Sequence, residues 1–289
     1  MKRWWTCQSD DIFVQAVILD YIGRRRLVDI SLDFYGGCNP SFPFRILAVD
    51  NLKAFRFKNV FQLGEDEASF ITLSLSRIIC NSPNLTTLDI DTGFLIASVE
   101  APSLHRLLSA EIDRPPMPLK RLALRHVRTR LDEDVLYHLK SLESLSIHFN
   151  LTTRVQGSHL NEIWDALRME SVHLSSIDVN LTEVDDALLD YLLSYDGIRE
   201  VVFDNSARLW TSPETNAVAV RFFKDVLPKI AVSLEVLHLE TISEGAWCFS
   251  ADNAAVISKC INLKKLTVSV VDMIQSHSRA TMVRLICSF

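Results

Sequence analysis

Nine short stretches of this chain share one spacing, an apolar residue followed three and five positions later by two more. They are Leu27/Ile30/Leu32, Leu52/Phe55/Phe57, Leu85/Leu88/Ile90, Leu119/Leu122/Leu124, Leu142/Leu145/Ile147, Leu174/Ile177/Val179, Ile198/Val201/Phe203, Leu234/Leu237/Leu239 and Leu263/Leu266/Val268. Successive side chains of a strand point to opposite faces, so the last two apolar residues of each frame go inward together and the residues beside them face out. The first residues of successive frames lie 23 to 36 positions apart. That interval holds one strand and a return of about ten helical residues, as a parallel crossover requires. No unit of this kind closes a core alone, and stacking buries its apolar stripe.

The segments between the frames carry the helical period. His159 to Glu170 places Leu160, Ile163, Trp164 and Leu167 at i, i+3, i+4 and i+7. Asp186 to Tyr195 carries Leu188, Leu189, Leu192 and Leu193, with Asp185 or Thr182 available as a cap. Further stripes are Ile71/Leu75/Ile78/Ile79, Val135/Leu136/Leu139 and Val256/Ile257/Cys260/Ile261, while Val218, Phe222, Val226 and Ile230 form one in which Pro228 predicts a kink or a new turn. The acidic Glu65-Asp66-Glu67 suits the start of a helix.

In Leu142-Glu-Ser-Leu145-Ser-Ile147-His-Phe-Asn150 the frame is completed by an asparagine, the leucine-rich-repeat signature. The expected fold class is therefore α/β. The expected architecture is one irregular leucine-rich-repeat solenoid over residues 1–289, a horseshoe with a parallel β-sheet on its concave face and helices on its convex face. Residues 10–22 would form an amino-terminal capping helix, about nine repeats would fill 27–271, and 276–289 would form a carboxyl-terminal helix through Met282, Leu285, Ile286 and Phe289. Leu104-His-Arg-Leu107-Leu108 reads as a degenerate extra strand. The third position after each frame is Asn only at Asn150, so no asparagine ladder is expected.

Composition narrows the function. Hydrophobic residues make up 48% and charged residues 23%, with 8 Gly and 9 Pro, which leaves no low-complexity linker. A formal charge of −6 gives no basic footprint for a phosphate backbone, and Arg24-Arg25-Arg26 reads as a solvated loop, so no nucleic-acid partner is expected. No apolar run approaches the 18 or so residues of a spanning helix, and no membrane is expected. The six cysteines form no Cys-x-x-Cys pair and the eight histidines no His-Glu-x-x-His, so neither metal nor cofactor is expected. Gly-x-Ser-x-Gly elbows and phosphate-cradling loops are likewise missing, and the chain reads as no enzyme of its own, located in cytoplasm or nucleus.

What remains is the outward strand face. Its frame positions include eight acidic and five basic residues. The candidate partner-binding residues are Arg56, Lys58, Asp89, Asp91, Arg121, Arg125, His148, Asp178, Asp204, His238 and Glu240. Mixed charge of this kind sets partner choice and orientation more than raw affinity.

The segment Ala255-Val-Ile-Ser-Lys-Cys260-Ile-Asn-Leu263-Lys-Lys-Leu266 is similar to the cysteine-containing repeat of F-box/LRR proteins, especially those of the large fungal families. Asn84-Leu-Thr-Thr-Leu88, Ser141-Leu-Glu-Ser-Leu145 and Arg26-Leu-Val-Asp-Ile-Ser-Leu32 resemble the same group, and the resemblance covers roughly residues 12 to 275. It implies the target-recognition part of a ubiquitin-ligase receptor, with a protein target on the concave face and Skp1 and a cullin as partners through an F-box. No F-box is visible, because the helix expected at 10–22 runs directly into the first strand. The alternative is a free-standing repeat scaffold or adaptor unconnected with ubiquitin.

Overall fold

The computed structural model describes residues 2–7, 29–34, 51–59, 65–93, 102–108, 115–148, 160–204, 213–241, 245–271 and 280–285. The chain is α/β and forms two compact units, residues 1–142 with 148–159 and residues 143–147 with 160–289. The expected capping helix over 10–22 lies outside the described residues.

Five strands follow chain order in the first unit: β1 (Lys2–Cys7), β2 (Asp29–Phe34), β3 (Ala54–Asn59), β4 (Thr87–Asp91) and β5 (Arg121–Arg125). Each pairs in parallel with the next. The register aligns Ile30, Phe55, Leu88 and Leu122 in one row and Leu32, Phe57, Ile90 and Leu124 in another. All eight are at most 3% exposed, so the two rows are the inner face that the frame predicts. Burying each such side chain contributes roughly 1.5–3 kcal/mol. Helix α1 (Glu65–Cys80) returns the chain through buried Ala68, Ile71, Leu75, Ile78 and Ile79, and the acidic trio stands at its first turn.

The second unit repeats the plan with β6 (Ser144–His148, its first four residues in this unit), β7 (Ser176–Asn180), β8 (Glu200–Asp204), β9 (Val236–Leu239) and β10 (Lys265–Val271). Their rows are Leu145, Ile177, Val201, Leu237, Leu266 and Ile147, Val179, Phe203, Leu239, Val268. The returning helices bury most of the expected stripes, among them Leu160, Ile163, Trp164 and Leu167, whereas Ile261, expected on the last stripe, lies past the helix Ala251–Ile257 and is 73% exposed. Asp185 caps the helix Asp186–Ser194, its Oδ1 accepting from the Leu188 N–H at 2.9 Å. Before Pro228 the helix widens into a π turn over Phe222–Val226, where the Leu227 N–H bonds the Phe222 carbonyl five residues back. This opening accommodates a residue that cannot donate to the ordinary α-helical ladder.

One hydrogen-bond motif recurs at six strand entrances, those of β4, β5, β7, β8, β9 and β10. Two consecutive N–H groups donate to a single carbonyl of the preceding rung: Thr86 and Thr87 to Lys53, Lys120 and Arg121 to Thr86, Ser175 and Ser176 to Glu143, Arg199 and Glu200 to Ser175, Glu235 and Val236 to Arg199, Lys264 and Lys265 to Glu235. All twelve N···O distances lie between 2.7 and 3.1 Å.

At the other strand end a polar ladder appears where none was expected. Asn59 Nδ2 donates to the Thr92 carbonyl at 3.2 Å, and Thr92 Oγ1 donates to the His126 carbonyl at 2.8 Å. These residues stand two positions after each frame, not three, and the donating side chains are Asn and Thr rather than a repeated Asn. A short donor at this place satisfies the next rung's backbone whatever its type.

Two other expectations give way. Leu104–Leu108 is a short helix, capped by Ser103 Oγ accepting from the Arg106 N–H at 3.2 Å, and the same apolar triplet that suits a strand buries Leu104, Leu107 and Leu108 on one helical face. Within the expected carboxyl-terminal helix, Ala280–Leu285 is a strand, β11, antiparallel to β10 with Val268 opposite Val283. The β-branched Thr281 and Val283 favour extended backbone, and the edge of β10 offers a row of backbone groups to pair.

A buried aromatic cluster ties the second unit's turns to its helix. Tyr191 Oη donates to the Val172 carbonyl at 2.6 Å and accepts from the Leu174 N–H at 3.1 Å, and Tyr195 Oη donates to the Leu174 carbonyl at 2.8 Å. Burial pushes the Tyr191 phenol up to about 12 and pushes Tyr195 higher still. A phenol whose folded pKa exceeds its unfolded value of about 10 contributes stability that is intact below pH 10 and is lost as pH rises toward the folded value. Denaturant unfolding between pH 9 and 11.5 should therefore lose about 1.4 kcal/mol per pH unit above 10 for each tyrosine, and Tyr191→Phe or Tyr195→Phe should flatten the slope. A slope unchanged in both variants would contradict the assignment.

Candidate interaction face

The register that turns the apolar rows inward fixes what faces out. In the first unit three outward rows cross the strands: Asp29–Ala54–Thr87–Arg121, Ser31–Arg56–Asp89–Ala123 and Asp33–Lys58–Asp91–Arg125. Neighbouring strands are about 4.8 Å apart, so the last row presents charges of alternating sign at that interval.

The structure brings Arg56 and Asp89 together, with Nε 2.8 Å from Oδ2. Burial raises the Asp89 carboxyl above its ordinary value, and this outweighs the opposing pull of Arg56 and Arg125. Asp91 is directed to the strand end, where Oδ1 accepts from the Gly93 N–H at 3.1 Å and lies 3.1 Å from His126 Nδ1. Gly93 takes a φ of 69°, a left-handed conformation that glycine adopts without steric cost. Both side chains of the Asp91–His126 pair are about one-seventh exposed, at 14% and 15%. Asp91 thus belongs to the rim's own hydrogen bonding more than to the open face. Lys58 is half-buried, and Arg121 and Arg125 are exposed.

In the second unit serines hold two of the outward carboxylates. Ser146 Oγ donates to Asp178 Oδ2 at 2.9 Å, and Ser176 Oγ donates to Glu200 Oε2 at 3.0 Å. His238 Nε2 lies 3.4 Å from Oε2 of Glu240, the residue that follows β9. Asp204 is half-buried beside Asn180 in the register. Three outward positions of this unit are covered: Thr267 and Ser269 are fully buried and Asn180 is 1% exposed; His148, the last residue of β6 and part of the first unit, is 4% exposed. Ser269 Oγ accepts from the Thr241 N–H at 2.9 Å, which puts this side chain to structural use. The frame alone marks such residues as outward and gives no sign of what lies over them.

No protein-family model, curated protein or solved structure matches this chain. The chemistry of its surface must be read from the residues themselves.

Sequence reasoning passed over one further feature. At the strand-entrance side of the second unit a groove of about 350 Å³ is bounded by Gly197, Arg199, Glu235 and Lys264. Lys264 Nζ sits 2.7 Å from Glu235 Oε2, and this bond holds the Glu235 carboxyl below its usual value. Val232 and Ile261, at equivalent positions of successive repeats, are 67% and 73% exposed beside it. Each precedes its frame's first leucine by two; Val232 carried no expectation, and Ile261 was expected on a buried helical stripe.

Among the described residues no helix is long and apolar enough to cross a membrane.

Proposed function

We propose that the chain is a leucine-rich-repeat solenoid that recognises a protein target through its outward strand positions, and that it serves as the target-binding part of an F-box/LRR-type ubiquitin-ligase receptor. The observation that carries the reading is the register. Buried apolar rows alternate with rows of mixed polar and charged residues across successive parallel strands in both units. An enzyme's requirement is a pocket with convergent titratable groups, whereas the outward rows offer a broad series of separately held charges. Such a series suits recognition of a complementary protein surface, in cytoplasm or nucleus.

The test is affinity capture from cells with the tagged chain, comparing it with variants carrying Lys58→Glu or His238→Asp. Captured proteins should fall at least fivefold with these changes, Skp1 should be captured once the coding segment upstream of Met1 is included, and the targets should accumulate at least twofold when cullin ligases are inhibited. Face-dependent capture without Skp1 and without accumulation would favour the free-standing scaffold. Capture insensitive to every outward substitution would remove both readings.

A further inference from the structure

The rung at β5 differs from the others in charge. From Leu119 to Leu131 it carries Lys120, Arg121, Arg125, Arg128 and Arg130 and no carboxylate, within a chain whose formal charge is −6. Lys120, Arg121, Arg125 and Arg130 are exposed and Arg128 is half-buried. Backbone pairing brings a sixth cation to the same edge: the Arg128 N–H bonds the Pro102 carbonyl and the Leu104 N–H bonds the Arg128 carbonyl, both at 2.8 Å, and exposed Arg106 follows in the short helix Leu104–Leu108.

The nearby carboxylates are already engaged. Asp89 holds Arg56, Asp91 holds His126 and the Gly93 amide, and Asp132 pairs with His105 while capping the helix Glu133–Leu139. No ion pair among the described residues engages Arg106, Arg121, Arg125 or Arg130. Guanidinium groups left in this state are suited to bidentate bonds with carboxylates.

We propose that the β5 rung is the docking site for an acidic polypeptide segment, with two carboxylates of the target seated on Arg121 and Arg125. This rests on the protein-recognition reading and names the chemistry of the partner. Arg121 and Arg125 lie on the same face of one strand, about 13 Å apart at 3.3 Å per residue. An extended peptide with acidic residues four positions apart presents its carboxylates at the same spacing. A nucleic-acid backbone is charged at every residue, so a phosphate would also fall over Ala123, one strand's width from its register partner Asp89. A peptide can leave that position uncharged.

A phage-displayed library of random 12-residue peptides, selected on the full chain, tests this directly. Peptides with Asp or Glu pairs four apart should be enriched at least fivefold over the unselected library. Arg121→Glu with Arg125→Glu should abolish that enrichment and weaken a selected fluorescent peptide at least tenfold. Lys224→Glu with Lys259→Glu, an equal charge change at exposed sites of the second unit, should leave both within twofold. Circular dichroism confirms that each variant is folded. Lack of acidic enrichment, or enrichment that survives the reversal at β5, would overturn the proposal. A twelve-nucleotide oligothymidylate binding as tightly as the peptide would overturn it in favour of nucleic acid. Enrichment of non-acidic peptides lost with Lys58→Glu would remove the acidic docking site and leave protein recognition standing.

Discussion

Leu145→Asp abolishes cooperative folding of the second unit. Leu145 is 3% exposed and stands in register with Ile177, at one end of a row that continues through Val201, Leu237 and Leu266. Nothing in that row accepts or donates a side-chain hydrogen bond, so an aspartate there is desolvated without compensation. An unpaired buried polar or charged group costs several kcal/mol, against a total stability of about 5–15 kcal/mol for a whole domain. Because each rung of a stacked array is buried by its neighbours, the loss extends beyond β6 to the strands packed on it. The expected observation is a far-ultraviolet circular dichroism melt without a sigmoidal transition for the second unit. Arg125→Ala, by contrast, truncates an exposed side chain and should stay within about 0.5 kcal/mol of the parent. A Leu145→Asp protein that unfolds cooperatively within 1 kcal/mol of the parent would mean that the inner rows are not the core.

Much of this was legible because alternation and the helical period act locally. Ile30 with Leu32, or Ile177 with Val179, need no distant partner to reveal which face they occupy. The misreadings occur where one spacing serves two conformations. Leu104, Leu107 and Leu108 suit a strand frame and a helical face equally, and the period of Met282 and Leu285 is overridden by β-branched neighbours and an open sheet edge. What escaped entirely depends on residues far apart in the chain. The polar ladder joins Asn59 to Thr92 and Thr92 to the backbone of His126, across 33 and 34 positions, with two different donating side chains. The site suffers most from this limit. The outward list is a matter of parity, but whether a charge is offered or spent depends on its cross-strand neighbour. Asp91 is taken by His126, Asp89 by Arg56, and only the structure separates them from Arg121 and Arg125.

Trp247→Ala should be the most damaging truncation outside the strand rows. Trp247 is 1% exposed, in the segment between β9 and the helix Ala251–Ile257. Its ring packs on Phe203 at 5.7 Å in edge-to-face geometry and on Phe222 at 5.5 Å, so it joins the inner face of β8 to the π turn. The indole Nε1 donates to the Thr215 carbonyl at 3.0 Å. The backbone on either side is fixed as well: the Ala246 N–H donates to Asn216 Oδ1, and Asn253 Nδ2 donates to the carbonyls of Ala246 and Cys248. A segment tied down at so many points cannot collapse into the space that the indole leaves. The cost should therefore fall at the full value for removing a buried aromatic, about 3–5 kcal/mol. Trp247→Phe keeps a ring against Phe203 and Phe222 and loses the donor, which should cost about 1–2 kcal/mol. Denaturant titrations followed by circular dichroism measure both. If the alanine variant costs no more than the phenylalanine one, the aromatic packing is not what holds this segment to the core, and the hydrogen bonds of Asn216 and Asn253 carry it instead.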